Sequence, residues 1–379
     1  MRDALRAVEP VVGSVLYLVV LVDLLLTVLY ARLGGHGVAR LGAGFIANLI
    51  GRTVRRVLLV TGHAIGKRDA VLSFCGPLTL ILLPFAWTWL LTIASALLIH
   101  PQLGESVVAQ QGASVTDFIT ALYAAGTSLA ITGSSEYIPA NDAMRFLYLS
   151  NAVTGTAVLT LTVTYLMQVY PALQRRNAVA VTIHVYSRHT GDAARVVAAL
   201  IPQGDPALAG SNLANLGQAL LEVAEGYHFY PVLFYFRPHS IEYADLRFVT
   251  VILDTATLMR TALDERLAGR IGDAGPVLLM RDSAKMLSMT LEGTFVDEET
   301  DPHEKPSPDS VARWRERFMR ACEHLQRASV PIAADREAAA SRYVDERAKW
   351  QPRLDTLGRY ATYGKDEIDP ALWGDRPAP

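Results

Sequence analysis

The chain has 379 residues, 51% of them hydrophobic and 19% charged, with a formal net charge of −2. That length holds two domain-sized units, and the apolar excess leans toward a membrane protein. The near-neutral charge, with no zinc-finger or helix-turn-helix pattern, removes nucleic acid from the expected partners. Two cysteines, Cys75 and Cys322, lack CxxC spacing, which excludes a disulfide framework or a zinc site and leaves them as packing residues.

The N-terminus runs apolar from Val11 to Tyr30, longer than the core of a signal peptide and without a small-residue cleavage site, so a retained helix is expected. Crossing a hydrocarbon core takes about 20 apolar residues in helix. Three stretches qualify: Val11 to Tyr30, Leu72 to Ile99 and Met144 to Tyr170. Between the first two lie Arg32, Arg40, Arg52, Arg55, Arg56, Lys67 and Arg68 against a single acid, Asp69, whereas Pro101 to Thr116 contains no Lys or Arg. The positive-inside rule then places the N-terminus outside, the basic loop inside and the C-terminal half in the cytosol of a cell (inner) membrane protein.

Inside the basic loop, Phe45, Ile46, Leu49, Ile50, Val54, Val57 and Leu58 recur at helical spacing opposite Arg52, Arg55 and Arg56. This predicts a helix lying in the inner interface, with an additional span packed in protein as the alternative. Between the second and third spans, Ser114 to Asp142 is too short and too polar to cross. A cap at Ser114 or Thr116, a helix over Phe118 to Leu129, and breakers at Gly133 and Pro139 predict a reentrant helix followed by exposed backbone loop. Irregular backbone survives at membrane depth only where it lines a water-filled path, which calls for several copies around an axis.

After residue 171 the pattern predicts helices over Asp192 to Leu200, Leu213 to Glu225, Tyr243 to Leu267 and Val277 to Leu291. An acidic, Pro-rich linker follows over Asp297 to Ser310, then helices over Val311 to Ala328 and Ile332 to Tyr360. The expected organisation is an N-terminal helix and amphipathic helix over 1–71, a pore domain over 72–170, a helical cytosolic domain over 171–296, a linker over 297–310 and C-terminal helices with a tail over 311–379. The expected fold class is an all-α membrane protein with three transmembrane helices and a reentrant pore helix.

Ala121, Leu122 and Tyr123, then Thr127 through Pro139, align without a gap to the pattern ALY, then TTLTTVGYGDIVP, and an inner helix follows. The segment from about Leu72 to Tyr170 therefore resembles the pore module of the two-transmembrane potassium channel superfamily. The resemblance implies an ion filter at Ile131, Thr132, Gly133, Ser134, Ser135 and Glu136, a homotetramer, and monovalent cations as the permeant partners. Gly133 keeps the first filter glycine, while Ser134 stands where the family has its aromatic and Ser135 where it has its second glycine. Serine adopts positive φ at a cost on the order of 1 kcal/mol. Potassium selectivity is what the family implies; non-selective conduction is what these residues imply. Four copies of Glu136 would form a carboxylate ring that concentrates cations. A degenerate pore module serving only as the anchor of a non-conducting receptor or sensor is the alternative.

Gly155 marks either a gating hinge, as in the family's inner helix, or a close-packing contact. Thr160, Thr162 and Thr164 are expected to bond back to their own helix. Asp23, an acid deep in an apolar run, is either functional or paired with Arg55 or Arg56. The run Gly226 to Pro238 predicts an aromatic core around a hydrogen-bonded His228, and His184, His189 and Asp192 lack metal-ligand spacing. No Ser/His/Asp, HExxH, P-loop or GxGxxG arrangement is present, so neither an enzyme nor a cofactor is expected. No span carries arginine at every third position, which argues against voltage sensing.

Overall fold

The computed structural model describes residues 2–28, 44–130, 136–272, 274–296 and 306–369, and it is all-α apart from one two-stranded ribbon. The chain divides into two units, Met1–Tyr170 and Pro171–Pro379. The division falls where the composition turns from apolar to charged.

The first unit begins with α1 (Arg2–Val28), α2 (Phe45–Ile65), the short α3 (Arg68–Leu72) and α4 (Cys75–Ile99). Three helical stretches are long and apolar enough to cross a membrane: Ala7–Val28, Arg68–Gln102 and Asp142–Tyr186. α2 is not among them. It ends at Gly66, whose left-handed backbone (φ 69°) only glycine adopts without strain, and the chain turns into α3 there. A Cβ on Gly62 would lie 3.0 Å from the Cα of Arg68, so the missing side chain lets α2 and α3 close together as a hairpin. α1 approaches α4 by the same device: a Cβ on Gly13 would sit 2.7 Å from the Ala94 carbonyl.

Among the described residues, two apolar clusters hold this unit. One gathers Val20, Leu24, Ile46, Leu83, Trp87, Leu91, Leu129 and Val158 from well-separated helices. The other gathers Ala96, Ile99, Leu103, Val107, Ala121, Ala124, Ala125 and Tyr137, where alanines let two helices approach closely. The third long helix, α6 (Asp142–Tyr186), follows the segment expected to form a pore loop and carries Pro171 in its interior.

The second unit continues with α7 (Ala193–Leu200), α8 (Pro206–Phe229), α9 (Asp245–Thr261), α10 (Gly275–Phe295), α11 (Pro308–Arg327), α12 (Arg336–Ala348), α13 (Gln351–Ala361) and α14 (Lys365–Ile368). α9 is its central element, buried on nearly every side, with Asp245 and Asp254 among its buried residues. Two expectations overran. The helix expected over Tyr243 to Leu267 stops at Thr261, because Leu263 pairs with Ile332 in an isolated bridge and the Ala333 N–H donates to the Ala262 carbonyl. The helix expected over Ile332 to Tyr360 starts after Asp335, which caps the Ala338 N–H at 3.0 Å, and breaks around Trp350. Pro352 there fits the first turn of a new helix, where no N–H is needed.

The aromatic core over Gly226 to Pro238 also differs in its polar centre. Tyr227, not His228, is the hydrogen-bonded residue: its hydroxyl donates to Asp245, which also pairs with Arg176 at 3.3 Å. The Arg176 guanidinium further donates to the carbonyls of Leu233 and Phe236 at 3.2 and 3.0 Å. Phe234 stacks on Phe295 with ring centroids 4.5 Å apart. Most of the linker expected over Asp297 to Ser310 lies outside the described residues.

Candidate pore-helix site

α5 (Phe118–Leu129) forms with the limits expected from the sequence. Its cap is Asp117, whose Oδ1 accepts from the Thr120 N–H at 2.7 Å. Ser114, one of the two residues expected to cap it, instead accepts from the Ala109 N–H at 3.0 Å. A carboxylate caps better than a hydroxyl here because it also meets the positive end of the helix, and the bonds from Thr120 hold Asp117 below the usual carboxylate range. At about 1.5 Å per residue, 12 residues reach roughly 18 Å, well short of a hydrocarbon core about 30 Å thick.

One face of α5 is buried through Ala121, Ala124, Ala125, Ser128 and Leu129. The other leaves Ile119 76% and Tyr123 47% exposed. A strand pair flanks the helix: β1 (Val107–Ala109) runs antiparallel to β2 (Tyr137–Pro139), with Val108 opposite Ile138. The register extends outward, since the Gln110 N–H donates to the Glu136 carbonyl at 2.8 Å and the Ala140 N–H to the Ser106 carbonyl at 2.8 Å. Glu136 is exposed at the end of this ribbon. Ile131, Thr132, Gly133, Ser134 and Ser135, the other residues expected to form a filter, lie outside the described residues.

Gly155 meets the C-terminal end of α5. A Cβ on it would stand 1.9 Å from the Leu129 carbonyl oxygen, so no larger residue fits without a shift of backbone. On the same helix Thr160 and Thr164 donate to the carbonyls four residues earlier at 2.9 Å each, as expected, while the buried Thr162 hydroxyl has no hydrogen-bond partner among the described residues. The Tyr17 hydroxyl of α1 donates to Thr154 at 2.8 Å.

Asp23 is held by neutral donors, not by the arginine pairing expected as one of its two readings. Its Oδ1 accepts from the Ile46 N–H at 2.8 Å and its Oδ2 from the Trp87 indole at 2.8 Å. Among the described residues no ion pair joins it to Arg55 or Arg56. It satisfies an orphan N–H at the start of α2 from a neighbouring helix, a task set by the four unpaired N–H groups of any helix N-terminus. Gly44 makes room: a Cβ there would lie 2.6 Å from Asp23 Oδ1.

Sequence reasoning missed Ser95, Ser128 and Asn151, which are buried and hydrogen-bonded to one another across α4, α5 and α6. The available signal was Asn151 itself, an amide inside an apolar stretch long enough to span. In the second unit, the rings of His184 and His189 lie 4.7 Å apart and Asp192 caps α7 through the Ala194 N–H. Among the described residues no group of three or more His, Cys, Asp or Glu side chains could hold a metal.

The fold and site thus define an all-α protein with three helices long and apolar enough to span a membrane, carrying a short apolar helix between the second and third. No protein-family model, no curated protein and no solved structure matches this chain.

Proposed function

We propose that the chain is one subunit of a homotetrameric, cation-conducting channel, with α5 as a reentrant pore helix and the segment from Ile131 to Glu136 as its filter. The supporting observation is the 12-residue α5: too short to span, buried on one side, and seated at its C-terminus against Gly155 of α6. A helix of that length between two spanning helices brings the chain back to the side it entered from, and the strands on either side of it pair with each other, in keeping with that course.

The face left open supports several copies. Ile119 and Tyr123 on α5, with Phe146, Leu149, Val153, Val163 and Met167 on α6, are apolar and exposed in one chain. A pore requires such faces to meet around an axis. Glu136 at the ribbon's end would place a carboxylate ring at the mouth, raising local cation concentration. On this reading the N-terminus is outside and the unit from Pro171 onward is cytosolic.

Flux into liposomes holding the purified full chain tests the reading, comparing potassium, sodium and an impermeant organic cation, with Glu136→Gln alongside. The expected outcome is passage of the small cations and a several-fold slower or re-selected flux in the Gln variant. Liposomes that pass none of the three cations would overturn it.

A further inference from the structure

A polar side chain withdrawn from water costs free energy unless it finds partners, and within helices of spanning length water supplies none. Asn151 on α6 is completely buried. Its Oδ1 accepts from the Ser95 hydroxyl of α4 at 3.0 Å, and its Nδ2 donates to the Ser128 hydroxyl of α5 at 2.8 Å. Ser128 donates onward to the Ala125 carbonyl at 2.8 Å. The hydrogens run in one direction along this relay. Turning the amide over would require the Ser128 hydrogen and take it from Ala125.

The location of the relay matters as much as its completeness. Ser128 is the penultimate residue of α5, and Leu129 is its last. Asn151 and Gly155 stand four residues apart, one above the other on the same face of α6. Asn151 holds Ser128 by a hydrogen bond, and Gly155 admits the Leu129 carbonyl by close approach. Two successive residues are thereby fixed by α6 immediately before the chain leaves the helix.

We propose that Asn151 is a positioning residue for the loop that follows α5: its bond to Ser128 sets the height and rotation at which the chain leaves the helix, and through that the loop's preference among monovalent cations. The inference rests on the channel reading above. Hydrogen bonds between membrane helices add little stability on average. Ion discrimination, by contrast, depends on the number and placement of coordinating oxygens, which a small displacement changes. The relay therefore acts on selectivity more than on folding.

The test is the ratio of potassium to sodium flux in liposomes for wild type, Asn151→Leu, Ser128→Ala and Ser128→Thr, with the unfolding temperature of each measured in detergent. Asn151→Leu keeps the volume and removes both of the amide's bonds. Ser128→Ala, the milder change, removes the acceptor of the Asn151 amide together with the hydroxyl's own bond to the Ala125 carbonyl. Both are expected to move the ratio by at least about threefold, while Ser128→Thr, which retains the hydroxyl, keeps the wild-type value. A ratio unmoved in Asn151→Leu and Ser128→Ala, whatever happens to the unfolding temperature, makes the relay a packing staple and overturns the inference alone. A wild type that passes neither ion overturns the channel reading and this inference with it.

Discussion

In Met1–Tyr170 the deepest polar side chains are met by neutral partners. Asp23 accepts from a backbone N–H and an indole, and Ser95, Asn151 and Ser128 satisfy one another. In Pro171–Pro379 the buried polar groups also include paired ions, Arg176, Asp245, Asp254, Glu292 and Arg347. Arg347, with no exposed surface, donates to Asp254 at 2.9 Å and to Asp369 at 2.7 Å, and Arg317 faces the same two carboxylates. Tyr343 completes the cluster, its hydroxyl donating to Asp254 at 2.5 Å. A guanidinium loses more hydration on burial than an amide does, so it needs a carboxylate and several acceptors around it, as Arg347 and Arg176 both have. An amide or hydroxyl needs one or two partners, which neighbouring helices supply. The lesson is that the two units solve the same problem with different chemistry, and should fail differently when a partner is removed.

The ionic unit should break most severely. Arg347→Met leaves Asp254 and Asp369 buried with Arg317 as their remaining guanidinium, and should cost about 3–5 kcal/mol, read as an earlier denaturant midpoint of the full chain. Replacing Arg347, Asp254 and Asp369 together by apolar residues of similar volume should recover much of that loss. If the single change proves as mild as a surface substitution, the contrast between the units collapses.

The neutral unit should break more gently. Asp23→Leu strands the Ile46 N–H and the Trp87 indole, and a lost partner for a buried donor costs about 1–3 kcal/mol. Thermal unfolding in micelles should report it. Asp23→Asn, which keeps one acceptor oxygen, should fall between the two, and equal losses for Asn and Leu would show that the carboxyl acts by its charge instead.

The smallest effect is a pH dependence in the second unit. Burial, with Arg195, Arg327 and Arg188 nearby, pushes His324 below the ordinary histidine range. Below the ordinary value of about 6.5 the unfolded chain then binds more proton than the folded one, so stability falls as the pH drops. Unfolding between pH 7.5 and 5.5 should therefore weaken less in His324→Gln than in wild type, and parallel curves for the two would remove His324 as a cause. Cys322, whose thiol is pushed up to about 11 by burial, takes no part in that range.

What could be read without coordinates followed from local signals. The limits of α5 came from its apolar run and the Gly and Pro beyond it, and the spanning helices from length and hydropathy alone. What could not be read depended on distant partners. Asp23 meets a backbone group 23 residues away, and Arg347 meets Asp254 at a separation of 93. No spacing rule links such positions, and the arginine pairing expected for Asp23 failed because a helix N-terminus offers donors that carry no residue identity. The overrun of the helix expected over Ile332 to Tyr360 has the same origin, since the bridge between Ile332 and Leu263 competes with helix only once both segments are in place.

The sequence by itself determined the apolar character of the first unit, the three spanning lengths and the short helix between the second and third, because these depend on runs of neighbouring residues whose transfer energies add along the chain. The tertiary structure alone decided which small residues become contacts and which polar ones become partners. Gly155 admits the Leu129 carbonyl and Asn151 holds Ser128 because three helices converge there, and that convergence is set by packing of whole faces rather than by any local word in the sequence.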